Sequence, residues 1–324
     1  MSRRKRITVL GSLNADLIPY VSHHPLPGET TTATWLATGP GGKGANQAVA
    51  CGRLSHKKAD DDDDDHGHGD GDVEVVMVGA VGDDQDGRML RHSLESSCVD
   101  TSRVRTTSSH RTGLAIVIVD QQAQNRIIVS PQANHLLCPR DVSSVAEHSQ
   151  LLVLQLEIRL DTVLAAIASS PAPVLLNAAP APTNPLPDQA YRRIAHLVVN
   201  ESEAAVLAAV DDDDELQSET GLRRVAHGFL ARGVKHVVIT LGPRGVFYAD
   251  SRRRCALVPA VKVDVVDTTA AGDTFVGAYA LAVVRAGEDD FDIDSAVREA
   301  NRAAAVTVSR KGAQTSIPWR SEIG

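Results

Sequence analysis

Aromatic side chains make up only 3% of the 324 residues, so a hydrophobic fraction of 43% rests mainly on Val, Leu, Ile and Ala. A chain of this length and make-up can bury a core for one large α/β domain, or one domain with an appendage. Cysteine is sparse as well. Cys51, Cys98, Cys138 and Cys255 lie far apart with no C-x-x-C spacing, which argues against a disulfide framework or a zinc site and for free thiols in a reducing compartment. No run of 18 apolar residues occurs, and Ile7-Thr8-Val9-Leu10 is too short for a signal-peptide core, so an intracellular, cytoplasmic protein without a membrane partner is expected. The preceding Arg3-Arg4-Lys5-Arg6 reads as a solvated tail, with a nuclear address as the lesser alternative.

Acid is what the chain has in excess, and it is concentrated. The formal net charge of −8 is a poor starting point for binding nucleic acid or a membrane surface. Residues 55–72 contribute −6 and residues 211–215 contribute −5, which leaves +3 for the rest. The stretch 56–72 has no apolar residue but Ala and cannot repay its ordering entropy, so an acidic low-complexity loop is expected there. The alternative, a metal site from His66, His68 and the aspartates, lacks any defined geometry. Asp211 to Asp214 reads the same way.

Between these inserts, short β-branched runs alternate with Ala- and Leu-rich helical stretches. Strands are expected at 6–10, 73–78, 114–119, 126–130, 151–155, 173–177, 196–199, 235–240 and 246–249. Helices are expected at 45–54, 84–97, 141–148, 160–169, 188–194, 201–209, 219–232, 272–286 and 294–309. That alternation indicates an α/β fold with a mostly parallel central sheet and helices on both faces. The segment 112–130 has two apolar runs around a polar turn and reads as a hairpin. With 17–37 it forms a small β-sheet lid, and the whole chain, 1–324, reads as one domain.

Two glycine-rich sites carry the chemistry. Gly39, Gly41 and Gly44 match G-x-G-x-x-G, but the first strand ends nearly thirty residues upstream, so a dinucleotide fingerprint is a weak reading. A Walker A loop fails outright, because Gly44 follows Lys43 where Ser or Thr is required. What remains is a glycine turn opening a helix at Ala45, where backbone can approach a ligand and Lys43 and Asn46 project into the same space. The second site is Asp267 to Phe275. A β-rich run, Val261 to Val266, leads into a helix from Gly272, and Ala270, Ala271 and Gly272 leave amide groups bare at its N-terminus as an anion hole. Asp273 in the first turn can accept a proton or merely cap the helix. Polar clusters also follow four expected strands, at Gly11 to Asp16, Gln155 to Glu157, Asn200 to Glu203 and Thr240 to Gly245. Ligands of open α/β sheets bind at strand carboxyl ends, so these clusters can share one crevice.

Taken together, these segments resemble the PfkB carbohydrate kinase family, specifically its ribokinase branch. The likeness runs nearly end to end. It takes in Gly11 to Asp16, Pro27 to Thr30, Gly41-Gly42-Lys43-Gly44-Ala45-Asn46-Gln47, Gln155 to Glu157, Asn177 to Ala181, Asn200 to Glu203, Thr240 to Gly242, Asp267 to Phe275 and Arg310 to Trp319. The resemblance implies ATP-dependent phosphorylation of D-ribose at O5. Asn14, Ala15, Asp16, Gly42, Lys43, Gly44, Ala45, Asn46 and Glu157 match sugar-binding positions, with Asp16 chelating hydroxyls. Asp273 matches the catalytic base, and the Ala270, Ala271, Gly272 and Asp273 amides match the anion hole. Asn200, Thr240, Leu241, Gly242, Pro243, Arg244, Gly245, Gly272 and Asn301 match ATP-binding positions. Asn200 and Glu203 belong to a motif associated with Mg²⁺ and phosphate. Asp267, Thr269, Thr307, Arg310, Gly312 and Ser316 match a K⁺ site, several of them through carbonyl oxygens. A homodimer through the lid strands is implied by the same analogy. A kinase for another pentose or a nucleoside is the runner-up; a non-catalytic sugar-binding regulator and an NAD-dependent dehydrogenase rank lower.

Overall fold

The computed structural model describes every residue except 1–3, 59–70, 123, 211, 212, 288 and 324. Most of the first acidic stretch therefore lies outside the described residues; of the second, Asp213–Gln217 is a short 3-10 helix.

Strand β1 (Lys5–Leu10) leads through Gly11 into β2 (Asn14–Tyr20), β3 (Trp35–Gly41) and helix α1 (Lys43–Ser55). There follow β4 (Val73–Gly82), α2 (Gln85–Glu95), β5 (Val99–Thr107), β6 (Gly113–Val119) and β7 (Asn125–Ser130). The middle of the chain forms β8 (Leu151–Leu154), α3 (Leu160–Ser169), β9 (Val174–Asn177), α4 (Asp188–Tyr191), β10 (Ile194–Asn200) and α5 (Glu201–Ala208). The remainder is α6 (Glu219–Ala231), β11 (His236–Thr240), β12 (Val246–Asp250), β13 (Cys255–Val258), α7 (Ala271–Ala286) and α8 (Ile293–Val308).

Nine strands form one sheet in the order β13-β12-β11-β10-β9-β8-β1-β4-β5, parallel from β11 to β5 and antiparallel at β12 and β13. Its central strands are apolar on both faces because both are covered. Ile7 and Val9 of β1 pack into the layer that holds α1, α7 and α8, whereas Leu10 packs with Tyr191, Leu222 and Phe229 on the other side. Scarcity of aromatics shows in how closely the helices approach. A Cβ on Gly277 of α7 would lie 2.4 Å from Cβ of Ala50 and 3.0 Å from the amide of Cys51 on α1. The second sheet has the order β3-β2-β6-β7 and corresponds to the expected lid, with β6 and β7 as the expected hairpin.

Several expected elements differ. Residues 141–148 form no α-helix; a 3-10 turn at Pro139–Asp141 gives way to turns closed three residues apart, with the amides of Val145, Glu147 and Ser149 on the carbonyls of Val142, Ser144 and Ala146. The helix expected at 188–194 stops at Tyr191, since Ile194 is already paired with Val174 in the sheet. The run Val261 to Val266 has β composition but no sheet partner, and Val265 and Val266 are 64% and 61% exposed. Gly39 and Gly41 are strand residues, not part of a turn, and α1 begins at Lys43 instead of Ala45. Edge strands β5 and β13 were not expected; β5 is rich in Asp, Ser, Thr and Arg, as an edge can be.

Candidate active site

Sequence order carries the β1–β2 turn, the start of α1 and the start of α7 to the carboxyl ends of the parallel strands. Gly42 makes the first junction possible. It caps α1 at φ 87°, and a Cβ there would lie 2.6 Å from the amide of Asn14. Gly44 is equally constrained, 2.6 Å from the amide of Ser12. Gly41 lies under the Asp16 carboxylate, with Oδ2 only 2.1 Å from where a Cβ would stand.

Glu157, just past β8, gathers these segments. Its Oε2 accepts from Ser12 Oγ (2.6 Å), the Lys43 amide (3.0 Å) and Asn14 Nδ2 (3.4 Å). Asn14 is fixed from behind by Asn134, whose Nδ2 donates to Asn14 Oδ1 (2.8 Å) while its Oδ1 accepts from the Leu13 amide (2.9 Å). Burial, and then the negative charges of Glu157 and Asp273, push the Asp16 carboxyl up to about 7.

Asp273 stands in the first turn of α7, buried, behind an Ala270 held in the left-handed region at φ 60°. Its Oδ2 accepts from Asn46 Nδ2 (2.9 Å) and its Oδ1 from Gln47 Nε2 (3.0 Å). Burial alone would lower the Lys43 ammonium, but the summed attraction of Asp273, Glu157 and Glu203 outweighs it and holds Lys43 above the ordinary lysine value. Glu203 is shifted upward by burial, which its bond from the Asn200 amide and the charge of Lys43 only partly offset. Asn200 and Glu203 form a reciprocal cap on α5, with the Asn200 amide donating to Glu203 Oε2 and the Glu203 amide to Asn200 Oδ1, both at 2.8 Å.

Lys43, Asn177, Asn200, Glu203, Thr240, Ala270, Gly272 and Asp273 line a cavity of about 200 Å³, whose lining does not include Asn14, Asp16, Asn46 or Glu157. A Cβ on Gly272 would meet no atom within 4 Å, so packing does not require a glycine there. Other expected nucleotide residues stand outside this lining. Leu241 to Gly245 form a turn closed by the Leu241 amide on the Gly245 carbonyl (2.8 Å), and Arg244 pairs with Glu201 at 2.5 Å. Asn301 donates to the Pro259 carbonyl (2.9 Å), so its side chain anchors the loop after β13.

The residues expected to hold K⁺ converge beside α7. Asp267 Oδ1 accepts from the amide (2.9 Å) and hydroxyl (2.6 Å) of Thr269, and its Oδ2 accepts from the Gly312 amide (2.9 Å). Burial would raise the Asp267 carboxyl, but these bonds and Lys311 hold it below the ordinary aspartate value. Thr307 Oγ1 donates to Thr274 Oγ1 (2.9 Å), and Ser316 Oγ to the Ala313 carbonyl (2.7 Å). The set offers oxygen donors and one carboxylate, which suits a hard cation. Arg310 is engaged by Glu322 (3.1 Å), so only its carbonyl is available. Among the described residues no group of three or more His, Cys, Asp or Glu is placed to hold a metal ion.

Five buried amides near the site had no role in the sequence reading: Gln47, Asn134, Asn177, Gln155 and Gln314. Gln47, Asn177, Gln155 and Gln314 stood within quoted motifs, but nothing in the sequence marked Asn134.

The profile of the pfkB family carbohydrate kinases matches residues 4–320. The ribokinase of Haemophilus influenzae is 35% identical over 323 residues, covering 98% of this chain and 97% of that protein. The deoxyribokinase of Salmonella typhimurium is 34% identical over 319 residues, covering 96% of this chain and 95% of that protein. Among solved structures, the ribokinase of Thermotoga maritima superposes with a TM-score of 0.82 at 32% identity, covering 99% of this chain and 98% of its own. The ribokinase of Arabidopsis thaliana complexed with ribose and ATP gives a TM-score of 0.81 at 27% identity, covering 99% of this chain and 97% of its own.

Proposed function

The chain belongs to the pfkB carbohydrate kinase family, and from that premise we propose that it is a ribokinase, transferring the γ-phosphoryl group of ATP to O5 of D-ribose. The observation that carries this reading is the Asp273 carboxylate, held at the first turn of α7 on the wall of the same cavity as Lys43 and Gly272. Asp273 takes the proton of the sugar's primary hydroxyl. O5 then forms its bond to the γ-phosphorus as the bond to the β,γ-bridging oxygen breaks, and ADP leaves. The Ala270 to Asp273 amides and the Lys43 ammonium meet the charge on the transferring group, in a reaction where positioning and electrostatics supply nearly all the acceleration. Asn14, Asp16, Asn46 and Glu157 hold the sugar, and polar groups of that kind discriminate strongly against an analogue that leaves them unpaired.

ATP enters as its magnesium complex, with Asn200 and Glu203 on the phosphate side and the 240–245 turn and Asn301 beyond it. A bound K⁺ would add positive charge beside the anion hole, with the oxygen donors of the 267–269 and 307–316 loops as its ligands. We read the protein as one domain acting in the cytoplasm, with the β3-β2-β6-β7 sheet as a lid and as the contact surface of a homodimer. A second reading, phosphorylation of deoxyribose, is favoured by the similarity to a deoxyribokinase. A panel of pentoses and nucleosides assayed with ATP, Mg²⁺ and K⁺ decides between them. Ribose is expected to give the highest kcat/KM; a higher value for deoxyribose supports the second reading, and turnover of neither overturns both.

A further inference from the structure

Both oxygens of the Asp273 carboxylate are met by amide groups, and each amide is itself held by another. On one side Gln47 Nε2 donates to Asp273 Oδ1 (3.0 Å) and to Asn177 Oδ1 (2.9 Å), while Gln47 Oε1 accepts from Gln155 Nε2 (2.6 Å). Asn177 is in turn locked by its own donation to the Val198 carbonyl (3.1 Å). On the other side Asn46 Nδ2 donates to Asp273 Oδ2 (2.9 Å), and Asn46 Oδ1 accepts from Gln314 Nε2 (3.1 Å). Gln314 Oε1 accepts from Ser93 Oγ (2.6 Å), and the Gln314 carbonyl accepts from Arg53. All of these amides are buried, with Gln47 fully enclosed and Gln314 only 2% exposed.

The direction of the amide-to-amide bonds running outward from Asp273 follows from one fact. An ionised carboxylate only accepts, so the amides that touch it must present nitrogen. Gln47 and Asn46 then show oxygen to their next neighbours, which must answer with nitrogen. The Gln47 chain ends at Gln155, and the Gln155 oxygen has no hydrogen-bond partner. An orphaned buried acceptor costs about 1–3 kcal/mol, and it sits where a chain oriented outward from Asp273 would leave it. Reversing the amides would set an oxygen against the carboxylate.

We propose that Gln47 and Gln314 are positioning residues for phosphoryl transfer, members of two oriented amide chains that fix the Asp273 carboxylate as an acceptor facing the sugar hydroxyl. This rests on the reading of Asp273 as the base. Gln47 acts directly on Oδ1, and Gln314 acts through Asn46 on Oδ2. Neither is among the residues assigned above to sugar or nucleotide, so the loss on their removal is expected chiefly in kcat.

The test uses Gln47→Met and Gln314→Met, near-isosteric changes that remove the amide, each alone and in an Asp273→Ala background. Loss of aim at the base is expected to lower kcat about 30-fold for Gln47→Met and about 5-fold for Gln314→Met, with KM for ribose and ATP changed less than about 3-fold. In the Asp273→Ala background neither change is expected to lower the residual rate further, because the group they aim is gone. A purely structural role would reduce both backgrounds alike, and that result overturns the proposal. So does an unchanged kcat in the single variants, or a loss carried by KM. If Gln47→Met fails to fold, the Gln314→Met pair decides by the same criteria. A wild type without turnover on any pentose sinks the kinase reading together with this proposal. Turnover in the wild type with both single variants unimpaired sinks the proposal alone.

Discussion

At the scale of single residues, Asp16 stands buried close to the Glu157 and Asp273 carboxylates. Its carboxyl is raised from 3.8 to about 7 by burial and by Glu157 and Asp273. The folded protein therefore holds a proton on Asp16 between those two values that the unfolded chain has lost, so this group makes the protein less stable as pH rises from about 4 to 7, with no further change above. Sugar hydroxyls donating to Asp16 favour the charged form, so binding must expel that proton. The apparent KM for ribose is expected to rise as pH falls below about 7, and ribose binding near pH 6 to release a proton. Calorimetric titration in two buffers of different ionisation enthalpy measures this directly. Equal heats in both would refute it, and Asp16→Asn is expected to abolish the difference. Gly272 gives a second prediction. Its missing side chain faces open space, so Gly272→Val is expected to cut kcat at least about 100-fold by crowding the phosphoryl group. Helix propensity favours the change, so the melting temperature should hold or rise. A marked fall in melting temperature would assign the glycine to packing.

Two helices set the distance between these groups. α1 carries Lys43, Asn46 and Gln47 on its first turns, and α7 carries Asp273 on its own. They cross where Gly277 meets Ala50, so the 2.9 Å contact of Asn46 with Asp273 depends on a crossing that only glycine permits. Gly277→Val is expected to destabilise by about 1–3 kcal/mol through overpacking, read by urea unfolding, and to lower kcat as the two helices separate. Full stability with full activity would show the crossing to be slack. The sequence made much of this frame legible. Covered parallel strands such as Leu151–Leu154 are apolar throughout, and glycines mark both junctions. Elements decided by their neighbours were not legible. Val261 to Val266 has strand composition, yet the sheet ends at β13 and no strand among the described residues pairs with it. β5 looks polar in sequence because one of its edges has no strand beside it. Among site residues, Asp273, Lys43 and Glu157 stood in motifs. Asn134 reached the site only through the tertiary return of the 130–137 segment to β2, which no local pattern records.

At the scale of the whole molecule, the lid sheet has apolar groups on both faces. The pairing of Asp16 with Gly39 and Ala115, and of Ala115 with Val129, places Asp16, Ala115 and Val129 on one face, the one read above as facing the sugar. Leu17 pairs with Ile116 and Ile116 with Ile128, so these side chains, with Leu36 two residues from the Leu17 partner Thr38, share the other face. Ile128 is 59% exposed and Leu36 52% exposed. A sheet of this kind cannot cover both faces with one active site, and the homodimer proposed above would cover the outer face through two-fold symmetry. Ile128→Asp is expected to convert a dimer into a monomer in sedimentation equilibrium. Val129→Asp, on the sugar-facing side, is expected to raise KM for ribose while leaving the mass unchanged. The two faces thus predict separable losses. A wild type that sediments as a monomer would leave the outer face unexplained by self-association, and a dimer unaffected by Ile128→Asp would move the contact off this face.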